Sequence, residues 1–207
     1  MILTNVMAAS IDGRIGNQSI EGDMARQEGG LSSDADQSHL RQEISQADAI
    51  IVGASSIRAN GECLHHPGRQ GLPPTWYIFT TSPMPESYQF WQQHDIKRVL
   101  LSPKKIPIHD PEVELRMIKG DPAQFAYQQA KADGCQRTLL FGGGVINRWF
   151  YNEKLVDELV LTLAPKIVGQ EGTPFLVEPQ LHDGVTLRLL TSQVIENFVF
   201  LRYAVQK

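Results

Sequence analysis

The sequence predicts an α/β fold: a mixed, mostly parallel central sheet flanked by helices, with a C-terminal antiparallel hairpin. Three observations carry this. Short apolar runs alternate with segments of helical spacing, the pattern of parallel strands joined by crossover helices. The strand-like runs repeatedly end in glycines or hydroxyl residues, as at Gly53, Thr80 and Gly142. The last two runs, 185–195 and 197–205, meet at a tight joint near Glu196-Asn197 and so pair antiparallel.

Residues 2–8 read as a buried strand followed by the turn Asp12-Gly13-Arg14-Ile15-Gly16. The polar stretch 17–33 reads as a long mobile loop. Ser33 or Asp34 is placed to cap a helix to about Gln46, with Leu40 and Ile44 on its apolar side. Ala49-Ile50-Ile51-Val52 is a short buried strand stopped by Gly53, and a helix runs from Ser55 to Asn60. Residues 61–74, rich in Gly and Pro, form a surface loop. Trp76–Thr80, Arg98–Leu101 and Val113–Ile118 are the next strands. Asp121-Pro122 opens a helix to about Ala132, with proline at the favoured first position. Thr138–Phe141 is a strand running into Gly142-Gly143-Gly144, and a helix covers Val145–Tyr151. Leu155–Ala164 is a long strand ended by Pro165.

The chain has 207 residues without a linker, repeat or low-complexity segment, so one domain over 1–207 is expected. Hydrophobic residues at 42% and charged residues at 20% exclude a disordered or collagen-like chain. A net charge of −4 argues against a nucleic-acid coat protein. Cys63 and Cys135 form no CxxC pair and read as reduced thiols. No basic-apolar leader is visible, and no run approaches the ~20 apolar residues of a membrane span. The expected location is the cytoplasm.

Two strand-to-helix junctions carry chemistry. Gly142-Gly143-Gly144 lets a ligand approach the backbone at a helix start, where free amides attract phosphate. A dinucleotide fingerprint would need a third glycine where Asn147 stands, so a tight turn is an equal reading. Gly53-Ala54-Ser55-Ser56 is a similar junction, suited to a diphosphate or to ordinary serine capping. Thr80-Thr81-Ser82 adds a third hydroxyl cluster at a strand end, where ligands of α/β sheets bind. His65-His66 has no ligand set of matching spacing, so no metal is expected. No GxSxG elbow and no phosphate-binding GxxxxGK[ST] loop is present.

Several stretches resemble one family: Ala8-Ala9-Ser10-Ile11-Asp12-Gly13-Arg14-Ile15-Gly16, Asp48 to Ser56, Leu140 to Asn147, and Leu155 to Gly169. Their order and content resemble the dihydrofolate-reductase-like reductase domain of riboflavin biosynthesis, over essentially the whole chain. The zinc signature of the deaminase half found beside it in many bacteria is absent. The resemblance implies NADPH as hydride donor and a small-molecule substrate, 5-amino-6-(5-phosphoribosylamino)uracil, whose ribosyl unit becomes a ribityl chain. It implies cofactor contacts from Ala8, Ile15 and Gly16 at the nicotinamide. Gly53, Ala54, Ser55, Ser56, Gly142, Gly143, Gly144, Val145, Ile146 and Asn147 surround the diphosphate, and Thr80, Thr81 and Ser82 the 2′-phosphate. It implies substrate contacts from Ser10, Asp12, Ser33, Arg41, Asn60, Leu64 and Arg69, with Asp12 the nearest proton donor, although Asp-Gly is also an ordinary turn.

The chain departs from the family where substrate is gripped. Val6 stands for a lysine, Phe141 for a glutamate, Asn60 for an aspartate and Ile44 for an arginine. A site that loses polar partners loses discrimination for a polar substrate. Two alternatives therefore stand beside the pathway reductase. One is a same-fold NADPH reductase of a different pterin-like or carbonyl substrate; the other is a non-catalytic NADPH-binding module. The apolar tail strands, and the family's own pairing, imply a homodimer through the C-terminal strands.

Overall fold

The computed structural model describes residues 1–207. In chain order its elements are β1 (Ile2–Ala9), α1 (Asp23–Glu28), α2 (Asp34–Ile44), β2 (Ala49–Gly53), α3 (Ala54–Asn60), β3 (Thr75–Phe79), β4 (Arg98–Ser102), β5 (Glu114–Met117), α4 (Pro122–Ala132), β6 (Arg137–Gly142), α5 (Gly144–Asn152), β7 (Glu158–Leu163), β8 (Thr186–Ile195) and β9 (Phe198–Gln206). The strands form one sheet in the order β5-β4-β3-β2-β6-β1-β7-β9-β8. Every pairing from β5 through β7 is parallel, whereas β9 runs antiparallel to both β7 and β8. The mixed, mostly parallel sheet and its closing hairpin are thus as the sequence predicts.

The inner strands face two cores. Ile50 and Val52 of β2 pack with Ile44 of α2 and Ile57 of α3 on one face. Ala49 and Ile51 pack with Ala123, Ala126 and Ala130 of α4 and Phe150 of α5 on the other. This is the two-residue period of a strand buried on both sides, and it explains the uninterrupted apolar runs. Burying each such isoleucine contributes about 1.5–3 kcal/mol. Helix starts follow the expected caps: Ser33 Oγ accepts from the Asp36 amide at 3.2 Å, and Asp121 Oδ1 from the Gln124 amide at 2.9 Å.

Two differences from the expected elements, and one exposed edge, bear on function. The stretch 17–33 is not all loop, because Asp23–Glu28 forms α1. The strand expected over 155–164 begins only at Glu158. The Leu155 amide instead returns to Phe150 O at 3.0 Å, and the Asp157 carboxylate accepts from the Leu3 amide at 2.8 Å. Finally, β8 is an edge strand exposed along nearly all its length.

Candidate active site

Because β1, β2, β3 and β6 are parallel neighbours, their carboxyl ends open on one edge of the sheet. The turns there line a cleft of about 580 Å³, within the range of small-molecule sites. Ile15 and Gly16 reach it after β1, Gly53, Ala54, Ser55 and Ser56 from the β2–α3 junction, and Thr80 and Thr81 after β3. Gly142, Gly143, Gly144, Val145 and Ile146 complete it from the β6–α5 junction. The fold therefore brings together three junctions that lie far apart in sequence.

The glycine turn is shaped for close approach. Gly142 has φ +53, and a Cβ there would stand 2.0 Å from Asn147 Oδ1. Gly143 has φ +90, and a Cβ there would meet nothing within 4 Å, so its backbone borders open space. Helix α5 starts at this point without a side-chain cap, which leaves first-turn amides for an anion. Asn147 does not line the cleft. It is buried beneath the turn, where Oδ1 accepts from Asn5 Nδ2 at 3.1 Å and Nδ2 donates to Leu176 O at 2.8 Å. The contact expected of Asn147 with a ligand is replaced by support of the turn.

Ser82 also lies just beyond the lining residues. Its hydroxyl accepts from Arg58 Nη2 at 2.8 Å, and Thr80 Oγ1 lies 3.3 Å from the same nitrogen. Arg58 itself lines the cleft from the last turn of α3. The same nitrogen also donates to Ser82 O at 2.9 Å and Pro83 O at 3.2 Å, which ties the end of α3 to the turn after β3.

A second cavity of about 110 Å³ opens beside the first. Met7, Arg26, Ser56 and Phe141 border both. Its apolar wall is Val6, Val52, Ile57, Leu64, Trp76 and Phe141, and the Trp76 and Phe141 rings meet edge to face at 6.0 Å. Asp23, Arg26, Asp36, His39, Asn60 and Glu62 supply its polar groups. Ala8, expected at the cofactor, borders this cavity rather than the larger cleft.

The expected substrate residues divide. Asn60 and Leu64 border the second cavity, and Asn60 Oδ1 accepts from the Asp23 amide at 3.0 Å, tying α3 to the start of α1. Arg41 borders an adjoining surface hollow that shares Asp23 and Gln37 with it. Ser33 serves as the cap of α2 and borders no described cavity. Arg69 lies at the opposite edge of the sheet: its Nε donates to Asp48 Oδ1 at 2.9 Å, just before β2. That carboxylate also accepts from the Gln136 and Arg137 amides at the start of β6. The phosphate-binding role expected of Arg69 is therefore corrected to a structural ion pair.

Asp12 also departs from expectation. Its carboxylate accepts from Ser10 Oγ at 2.6 Å and from the Val168 and Gly169 amides at 3.0 and 2.9 Å. These bonds, the serine first, hold it well below the usual carboxylate range. An acid so firmly ionised carries no proton to give near neutral pH, so its geometry is that of a clamp between two turns. Ser10 is buried and occupied, because its Oγ also accepts from the Arg14 amide at 2.9 Å.

Sequence reasoning missed Arg26, Arg58 and Trp76. Arg58 carried a usable signal, because it follows Ser55-Ser56 by half a turn to one turn of helix and so shares their end of the sheet. Arg26 carried none, since the stretch around it has no apolar period. His94 and Glu112 are exposed beside the buried Asp110, but Asp110 is held by Arg98 at 2.8 Å and none of the three borders the cleft.

The sheet order and the paired cavities define a dihydrofolate-reductase-like α/β protein. The fold superposes on dihydrofolate reductase from Enterococcus faecalis, complexed with NADP(H), with a TM-score of 0.56 at 15% identity, covering 100% of this chain and 97% of that one. It superposes on a pyrimidine reductase-like protein from Corynebacterium diphtheriae with a TM-score of 0.82 at 19% identity, covering 100% of this chain and 92% of that one. The chain belongs to the RibD C-terminal domain family, whose model matches residues 2–201. The riboflavin biosynthesis protein RibD of Chlamydia muridarum is 27% identical over 198 residues, covering 84% of this chain and 49% of that protein. The chain thus spans about half the length of this curated relative. No helix is long and apolar enough to cross a membrane.

Proposed function

We propose that the chain, as one domain over 1–207, is an NADPH-dependent reductase of 5-amino-6-(5-phosphoribosylamino)uracil. The observation that carries this reading is the meeting of the two cavities at Met7, Arg26, Ser56 and Phe141, one of about 580 Å³ and one of about 110 Å³. A bound NADPH supplies a hydride from its nicotinamide, and the residues position it. The open backbone at Gly143 and the uncapped start of α5 fit a diphosphate, with Ser55 and Ser56 opposite. Thr80, Thr81, Ser82 and Arg58 take the 2′-phosphate, and Ile15 and Gly16 border the nicotinamide. Asn60, Leu64 and Ala8 face the substrate.

A second reading has its own observation. Arg69 is committed to Asp48, while Asp23, Asp36 and Glu62 border the smaller cavity. That balance of charge favours a pterin-like ring without a phosphate. Two copies associate through the exposed edge, where β8 presents Leu187, Leu189, Leu190 and Val194. Calorimetric titration tests the cofactor assignment: NADPH binds and NADH binds more weakly. Failure of NADPH to bind overturns it.

A further inference from the structure

Residues 173–178 form a strap between the turn after β1 and the glycine turn after β6, and it is tied to both. On the β1 side, the Ile15 amide donates to Pro174 O at 2.9 Å, the Leu176 amide to Gly13 O at 3.0 Å, and Arg14 Nη1 to Thr173 O at 2.5 Å. The Arg14 guanidinium also lies 3.5 Å from the centre of the Phe175 ring. On the glycine side, the Glu178 amide donates to Gly144 O at 3.2 Å and Asn147 Nδ2 to Leu176 O at 2.8 Å.

The strap delivers the Glu178 side chain to the start of α5. Its Cγ lies 2.7 Å from where a Cβ on Gly144 would stand, and the residue lines the larger cleft. Two acids line that cleft, Glu21 and Glu178, and their oxygens are used differently. Asn17 occupies both oxygens of Glu21, its amide and Nδ2 donating at 2.8 and 2.9 Å. Glu178 Oε2 accepts from the Phe175 amide at 3.1 Å, whereas Oε1 has no partner and is not buried.

An ionised carboxylate only accepts hydrogen bonds, and it repels a neighbouring phosphate. At the mouth of a diphosphate turn its free oxygen is of use only to a donor on the same ligand. In a dinucleotide the donors nearest the diphosphate are ribose hydroxyls. The sheet order decides which ribose. The adenosine 2′-phosphate belongs at Thr80, after β3, and the diphosphate between the β2 and β6 junctions. Glu178 lies beyond β6, on the side of β1, with Gly16 packed on the same strap: a Cβ there would stand 3.4 Å from Pro174 Cγ.

We propose that Glu178 is a cofactor-binding residue whose Oε1 accepts from the hydroxyls of the nicotinamide ribose. This rests on the NADPH reading and deepens it. The strap then serves the cofactor twice, because the segment that presents Glu178 also fixes Ile15 beside the nicotinamide.

The test is calorimetric titration of two ligands into the parent, Glu178→Gln and Glu178→Ala, each checked for folding by circular dichroism. One ligand is NADPH. The other is 2′-phosphoadenosine 5′-diphosphate, which keeps the adenosine half and the diphosphate but has no nicotinamide ribose. Glu178→Ala is expected to weaken NADPH about ten-fold or more, the scale of a hydrogen bond to a charged group. Glu178→Gln, which keeps a side-chain acceptor, should weaken it about two- to ten-fold. The shorter ligand should bind all three proteins within about two-fold, or slightly tighter in the variants as a negative charge is lost. NADPH affinity that is unchanged or raised in Glu178→Ala overturns the proposal, since the carboxylate would then be idle or merely repulsive. An equal loss for both ligands overturns it too, because the effect would lie in the turn and not at the ribose. If the parent binds neither ligand, the NADPH reading itself falls and the assignment of Glu178 with it.

Discussion

Asn5 of β1 and Asn147 of α5 are joined, Nδ2 to Oδ1, at 3.1 Å directly beneath the glycine turn. Asn5 Nδ2 also donates to Leu140 O at 2.8 Å, and Tyr151 Oη donates to Asn5 Oδ1 at 3.1 Å. A central strand, the strand before the turn and the helix after it are thus fixed through one buried amide. The room left for residue 142 is set by the same pair, since Asn147 Oδ1 lies where a Cβ would stand.

Asn5→Ala removes this amide and leaves three buried partners unpaired. It is expected to cost about 1–3 kcal/mol in urea unfolding and to weaken NADPH binding by loosening the turn. An unchanged unfolding midpoint together with unchanged NADPH affinity counts against the coupling.

Arg58→Ala tests how the cofactor is chosen. Its guanidinium stands beside Thr80 and Ser82, and none of the residues 79–82 is acidic. Loss of one charge-assisted contact is worth about 1.5–3 kcal/mol, so the variant should favour NADPH over NADH by roughly 10–150-fold less than the parent. Dissociation constants for both nucleotides, with parent and variant, measure this. An unaltered preference places the 2′-phosphate elsewhere.

Asp12→Asn separates a clamp from a proton donor. The folded state holds this carboxylate below its ordinary range, so its stabilising effect is fully present above about pH 4 and is lost as pH falls. The variant should melt about 2–5 °C lower at neutral pH, and the gap should narrow as the solution is acidified below pH 4. Its pH–rate profile between pH 6 and 8 should keep the parent's shape. A shifted basic or acidic limb there would restore Asp12 to proton transfer.

The edge strand tests assembly. Val194 is 67% exposed and Leu189 50% exposed on β8. Leu189→Lys with Val194→Lys should convert a two-chain species to one of about 23 kDa in sedimentation, without altering NADPH affinity. A parent protein that already sediments as one chain at micromolar concentration contradicts the pairing.

The sheet was legible because its inner strands are buried on both faces. Such strands write themselves as apolar runs such as Ile50-Ile51-Val52, stopped by glycine or hydroxyl residues. The three junctions lining the larger cleft were legible for the same reason, since ligand turns follow strand ends. Helix α1 was not, because Asp23–Glu28 has no buried residue and no apolar period to reveal it. Arg69 and Asp12 misled because each has the right residue type for a ligand. Only the fold shows that Asp48 holds the first, and that Ser10, Val168 and Gly169 hold the second.

Reductase activity is read out by single-turnover consumption of NADPH in the presence of 5-amino-6-(5-phosphoribosylamino)uracil, followed by absorbance with product analysis. The expected result is one NADPH oxidised for each ribityl product formed, with Gly143→Val, which puts a branched side chain into the open space at φ +90 and is first checked for folding by circular dichroism, unable to support it. Tight NADPH binding without oxidation, with this substrate and with pterin-like rings alike, would contradict a reductase.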